Sequence, residues 1–145
     1  MYTLSIRTTL DAAVDAVWKI VSDFGNARFL PFEVLESSGH GPGATRSIRT
    51  PDGTRMVDRL DVLDRASRTV QYSLDNAASD PGPMARYQAT MRLHATADGR
   101  TDVEWSGQIE FVPEIDPTSV LPMVLTAYLA GIASIRSMLL TNGGL

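Results

Sequence analysis

Asp58 is a carboxylate standing where its segment calls for an apolar side chain. In Met56-Val57-Asp58-Arg59-Leu60-Asp61-Val62 it alternates onto the same strand face as Met56, Leu60 and Val62. A lone carboxylate on such a face is driven toward its protonated form by desolvation, unless a cation stands against it and holds it ionised. Arg46 is in reach: if Pro51-Asp52-Gly53 is a three-residue hairpin loop with Gly53 in the left-handed position, the register opposes Arg46 to Asp58 and Ile48 to Met56. Such a pair is either a structural ion pair on a wet part of a sheet or a polar anchor and acid/base inside a pocket. Tyr72, Tyr87, Trp105 and Tyr128 could add pocket walls with hydrogen-bonding tips, and a tyrosine hydroxyl can donate a proton to a carbonyl.

Other chemistries are thinly represented. Cysteine is absent, which removes disulfides, thiol catalysis and thiolate-bound metals. The two histidines do not help: His94 falls on the outward face by parity with Tyr87, and His40 sits in the Gly39-His40-Gly41-Pro42-Gly43 loop, where it could cover a pocket mouth. With no carboxylate at ligand spacing they make no metal site, so neither metal nor cofactor is expected. The glycine-rich loop lacks the strand and helix of a phosphate loop, and no nucleophile elbow is present. A formal net charge of -4, with Lys19 the one lysine, argues against nucleic acid or an anionic membrane as partner. A small hydrophobic ligand is the remaining partner class, and homodimerisation stays open. The N-terminal residues show no secretory signal, so the expected location is the cytoplasm.

The elements that must position these groups follow from periodicity. Residues 2–9 alternate as a half-buried strand. From Asp11 the spacing turns helical for about three turns, with Asp11 as cap, Asp15 near the positive end and Gly25 as the left-handed stop. Residues 26–31 predict a short helical turn before Pro31. Six strands then follow, over 32–38, 43–50, 54–64, 69–75, 84–97 and 101–112, separated by Gly, Pro and Asp turns, as in an antiparallel meander. If Ala97-Asp98-Gly99 is also a three-residue loop, Met91 opposes Trp105, Leu93 opposes Val103 and Tyr87 opposes Ile109. That sets one inner face: Ala85, Tyr87, Ala89, Met91 and Leu93 beside Val103, Trp105, Gly107, Ile109 and Phe111, with Val70, Tyr72 and Leu74 on an earlier strand.

The last element is a helix from Asp116 to Leu140, with Asp116 as cap, Pro117 first and Asn142-Gly143-Gly144 as the stop. A second cap at Thr118 or Ser119 would keep Pro122 within the first turn. No charge occurs between Pro117 and Ile135. A membrane span needs roughly 17–25 apolar residues, but Pro122, Gly131 and hydroxyl residues clustered between the apolar positions suit a helix lying on a sheet. No membrane span is therefore expected. Val124, Tyr128 and Ile132 share one face and should line a cavity against the sheet. At 145 residues the chain reads as a single α+β domain over 1–145, with a seven-stranded curved antiparallel sheet wrapped around this helix.

Five stretches in this order, Ala12-Ala13-Val14-Asp15-Ala16-Val17-Trp18, Val21-Ser22-Asp23-Phe24-Gly25-Asn26, Gly41-Pro42-Gly43-Ala44-Thr45-Arg46, Arg59-Leu60-Asp61-Val62-Leu63-Asp64 and Thr101-Asp102-Val103-Glu104-Trp105-Ser106-Gly107, resemble the SRPBCC or START-like superfamily, in its polyketide cyclase/dehydrase branch. The resemblance implies a helix-grip fold with an elongated cavity for a hydrophobic ligand. By similarity to the plant hormone receptors of that superfamily, Asp58 and Tyr87 become pocket residues. Two functions follow as expectations. One is binding of a polyketide, lipid or aromatic metabolite, with Tyr72, Met91, Trp105, Ile109, Val124, Tyr128 and Ile132 as walls. The other is a cyclase/dehydrase in which Asp58, Tyr87 and Arg46 do acid/base and orienting work.

Overall fold

A computed structural model describes residues 1–143. The chain runs β1 (Tyr2–Leu10), α1 (Val14–Val21), a 3-10 turn (Phe24–Asn26), β2 (Glu33–Ser38), β3 (Thr45–Arg49), β4 (Arg55–Asp64), β5 (Thr69–Leu74), β6 (Met84–Ala95), β7 (Thr101–Phe111) and α2 (Pro117–Gly143). The seven strands form one antiparallel sheet in the order β1-β7-β6-β5-β4-β3-β2. Each consecutive pair after β2 is a hairpin neighbour, and β1 closes on β7, so the meander wraps around to its own first strand. This is the helix-grip architecture that the resemblance implied, with the seven-stranded sheet and long helix expected from the spacing.

The hairpin registers agree with the chain's alternation. Arg46 pairs with Asp58 and Ile48 with Met56, while Met91 pairs with Trp105, Leu93 with Val103 and Tyr87 with Ile109. Both loops use their glycine as expected, Gly53 at φ +88° and Gly99 at φ +82°, a region that L side chains avoid.

Two bulges alter which residues face inward. Leu60 pairs with Tyr72 but Val62 with Gln71, so Asp61 is the extra residue. Val62 thereby leaves the Asp58 face, and Leu63, opposite Val70, packs on the core instead. In β6, Met84 pairs with Phe111 and Arg86 with Glu110, which makes Ala85 the extra residue and gives Met84 the inner position expected of Ala85.

The first helix is shorter than expected, at eight residues, and Asp11 does not cap it. Its N-cap is Ala13, without a side-chain bond, and Asp15 in its first turn pairs with Arg68 at 2.7 Å. Gly25 is not left-handed; it lies in the 3-10 turn, which begins at Phe24, two residues earlier than expected.

The long helix starts as expected. Asp116 accepts the Thr118 N–H at 3.0 Å through Oδ1, and Pro117 opens the helix, so Pro122 lies inside it, beyond the first turn. Gly144 of the expected stop lies outside the described residues. The C-terminal half packs closely: Ile132 and Ile135 are 3% and 0% exposed, and Arg136 donates to Thr8 Oγ1 at 2.9 Å and to the Thr9 carbonyl. The N-terminal half stands further off, with Met123 67% and Leu129 53% exposed. In length and composition Pro117–Thr141 would also suffice to cross a bilayer.

Candidate functional site

Where the N-terminal half of α2 stands away from the sheet, a cavity of about 630 Å³ opens. This is a usual size for a small-molecule site. Leu30, Pro31 and Phe32 wall one side, Ile48, Met56 and Leu74 the sheet side, and Val120, Val124 and Ala127 the helix side, with Met84 at the start of β6. The loops 50–54 and 76–83 border it. The second loop is tied along β4: Arg55 N–H donates to Asp80 Oδ2 at 2.9 Å, Val57 N–H to Ser79 Oγ at 2.8 Å, and Asp75 N–H to the Val57 carbonyl at 2.8 Å.

Thr50, Asp52, Asn76, Asp80 and Thr126 also line the cavity, but the buried polar groups are few. Asp58 and Arg46, on adjacent strands, both line the cavity and are 3% and 2% exposed, so the pair is not on a wet part of the sheet. Arg46 Nε donates to Asp58 Oδ2 at 3.1 Å and Nη1 to the Phe24 carbonyl at 3.1 Å. The guanidinium also sits between two rings, 4.1 Å from the Phe24 centroid and 4.7 Å from that of Tyr72. Stacking and a fixed fork suit arginine to this position better than lysine. Burial raises the Asp58 pKa, and the adjacent Arg46 charge and hydrogen bond offset part of that rise. Deleting one member of such a buried pair typically costs about 3–5 kcal/mol.

Beside this pair lies an aromatic group. The Tyr87 and Tyr128 hydroxyls, from β6 and α2, are 2.5 Å apart. Tyr128 stacks on Trp105 at 4.3 Å between centroids and 12° between planes, while Tyr72 meets Tyr87 edge-on at 6.4 Å. Burial raises the pKa of Tyr72, Tyr87 and Tyr128 alike, so all three remain neutral hydroxyls at physiological pH. Two glycines make room for this arrangement. A Cβ at Gly107 on β7 would collide with the Tyr128 hydroxyl, and one at Gly131 on α2 would press into the Trp105 ring at 2.7 Å.

Of the residues singled out in the sequence, Asp58, Arg46, Tyr87, Tyr72, Trp105, Val124 and Tyr128 come together around this one cavity. Met91, Ile109 and Ile132 do not line it. They are 1%, 0% and 3% exposed, pointing inward as their parity requires but lying outside the cavity wall. His40 and His94 are both exposed and away from the cavity. Among the described residues no cluster of potential metal ligands occurs. Sequence reasoning missed Phe24, whose carbonyl and ring hold Arg46, and the wall from Leu30 to Phe32, which carries no periodic signal. Gly107 was detectable: a glycine inside an otherwise apolar strand face marks a close approach.

Comparison with known proteins agrees with the fold. No curated protein matches the chain in sequence. Among solved structures, a protein of Nitrosospira multiformis superposes with a TM-score of 0.74 at 23% identity, covering 94% of each chain. The protein XoxI of Bacillus cereus gives 0.80 at 23%, covering 97% of this chain and 96% of that one. Ara h 8.0201 gives 0.77 at 18%, covering 97% and 98%. At these identities the likeness establishes the fold. The sequence model described as polyketide cyclase / dehydrase and lipid transport matches residues 1–136, nearly the whole chain, and the protein belongs to that family.

Proposed function

We propose that this protein binds a small, largely apolar molecule, of the polyketide, lipid or aromatic-metabolite kind, between the sheet and α2. The observation that carries the reading is the cavity of about 630 Å³ with apolar walls and one buried polar cluster, in a family whose description includes lipid transport. Apolar walls supply affinity through surface removed from water, and the cluster supplies orientation.

The test is titration of a fluorescent naphthalene probe into the wild type and into Ala127→Trp, whose indole would occupy the space beside Val124. Saturable binding by the wild type, lost in a variant that remains folded, is the expected result. Equal binding by both would remove the cavity from consideration.

Asp58 and the tyrosine pair favour a second reading, cyclisation or dehydration of a poly-carbonyl substrate. A buried carboxylate with a raised pKa is suited to proton transfer, and two neutral tyrosine hydroxyls can polarise a carbonyl. Loss of turnover with binding retained in Asp58→Asn or Tyr87→Phe would select this reading over simple binding.

A further inference from the structure

At the polar end of the cavity, buried donors stand without an acceptor. Arg46 commits Nε to Asp58 and Nη1 to the Phe24 carbonyl, but Nη2 is buried without a partner among the described residues. Trp105 Nε1, also on a cavity-lining residue, is likewise buried and unbonded. The Tyr87 and Tyr128 hydroxyls share one hydrogen bond between them, which leaves one of their two protons for another acceptor. A buried donor without an acceptor is destabilising, and a ligand oxygen would relieve it.

We propose that the bound molecule carries a neutral carbonyl oxygen, as in a ketone, ester, lactone or amide, at its buried end, and that Arg46 Nη2 receives it. The inference rests on the cavity being the binding site. Charge decides between a carbonyl and a carboxylate. Asp58 already neutralises Arg46, so a ligand carboxylate would bring a second, uncompensated negative charge into a desolvated site. A neutral carbonyl accepts the same hydrogen bond without that cost. Arg46 therefore provides the attraction and Asp58 the discrimination.

Three naphthalenes of nearly one shape test this: 2-acetylnaphthalene, 2-isopropylnaphthalene and 2-naphthoate, titrated separately into the full chain at pH 8. A hydrogen bond to a charged group predicts that the ketone binds about ten- to a hundredfold more tightly than the hydrocarbon, with the carboxylate weakest. In Asp58→Asn the guanidinium charge is unmatched, and the carboxylate should gain about tenfold or more on the ketone. Equal affinity for ketone and hydrocarbon overturns the carbonyl assignment and leaves the cavity reading standing. A wild type that prefers the carboxylate overturns the charge argument, and the wild-type ranking decides even if the variant fails to fold. If none of the three binds, the cavity reading itself falls.

Discussion

Replacing Gly107 with alanine should be costly because of one hydroxyl. The added Cβ would collide with Tyr128 Oη and lie 3.0 Å from Tyr87 Cε1, but only 3.5 Å, an ordinary contact, from Tyr128 Cζ. The hydroxyl cannot retreat freely, because its ring is stacked on Trp105 and the residue is 3% exposed. Overpacking of this kind costs about 1–3 kcal/mol, or a Tm lower by roughly 2–12 °C for a domain of this size. Tyr128→Phe by itself loses the bond to Tyr87, worth about 0.5–1.5 kcal/mol. In the double variant Gly107→Ala/Tyr128→Phe the colliding atom is gone, so the total should fall short of the sum of the singles by about 1 kcal/mol or more. Denaturant unfolding of the four proteins, compared at a common m-value, measures that coupling. Strict additivity would refute the reasoning, since it would mean that the alanine methyl group meets something other than the Tyr128 hydroxyl.

Two further outcomes follow from the same geometry. Asp58 has a folded-state pKa raised above its ordinary value of 3.8, so between those two values the folded chain binds more protons than the unfolded one, and stability falls as pH rises. Unfolding free energies measured from pH 4 upward should therefore show the wild type losing ground to Asp58→Asn, levelling off above the raised pKa; the opposite slope would mean that the pairing with Arg46 outweighs burial. The exposed carboxylates Asp52, Asp64 and Asp98, held low mainly by side-chain hydrogen bonds, act in the opposite sense, but they are common to both proteins and cancel. Asp116→Ala removes the cap of α2 beside the cavity and should cost about 1 kcal/mol in thermal unfolding; an unchanged Tm would show that the Ser119 N–H bond to the Asp116 backbone carbonyl suffices to hold the helix start.

The sequence by itself determined the order of elements, the two hairpin registers and the opposition of Arg46 to Asp58, because these are set by local causes: period, and glycines at Gly53 and Gly99 whose backbone only one kind of turn can use. Parity then identified an inward face, but it assigns a side and not a depth. Met91, Ile109 and Ile132 share that side with Tyr87 and Tyr128, yet lie outside the cavity wall. Only the packing of α2 decided this, close at Ile132 and Ile135 and stood off at Val124 and Ala127. The bulges at Asp61 and Ala85 were equally invisible, since an inserted residue changes pairing without changing composition, and they moved Val62 outward and Met84 inward. The unpartnered Arg46 Nη2 is likewise a property of the assembled site: it depends on Phe24, twenty-two residues away in the chain, accepting from Nη1 and leaving the third nitrogen free.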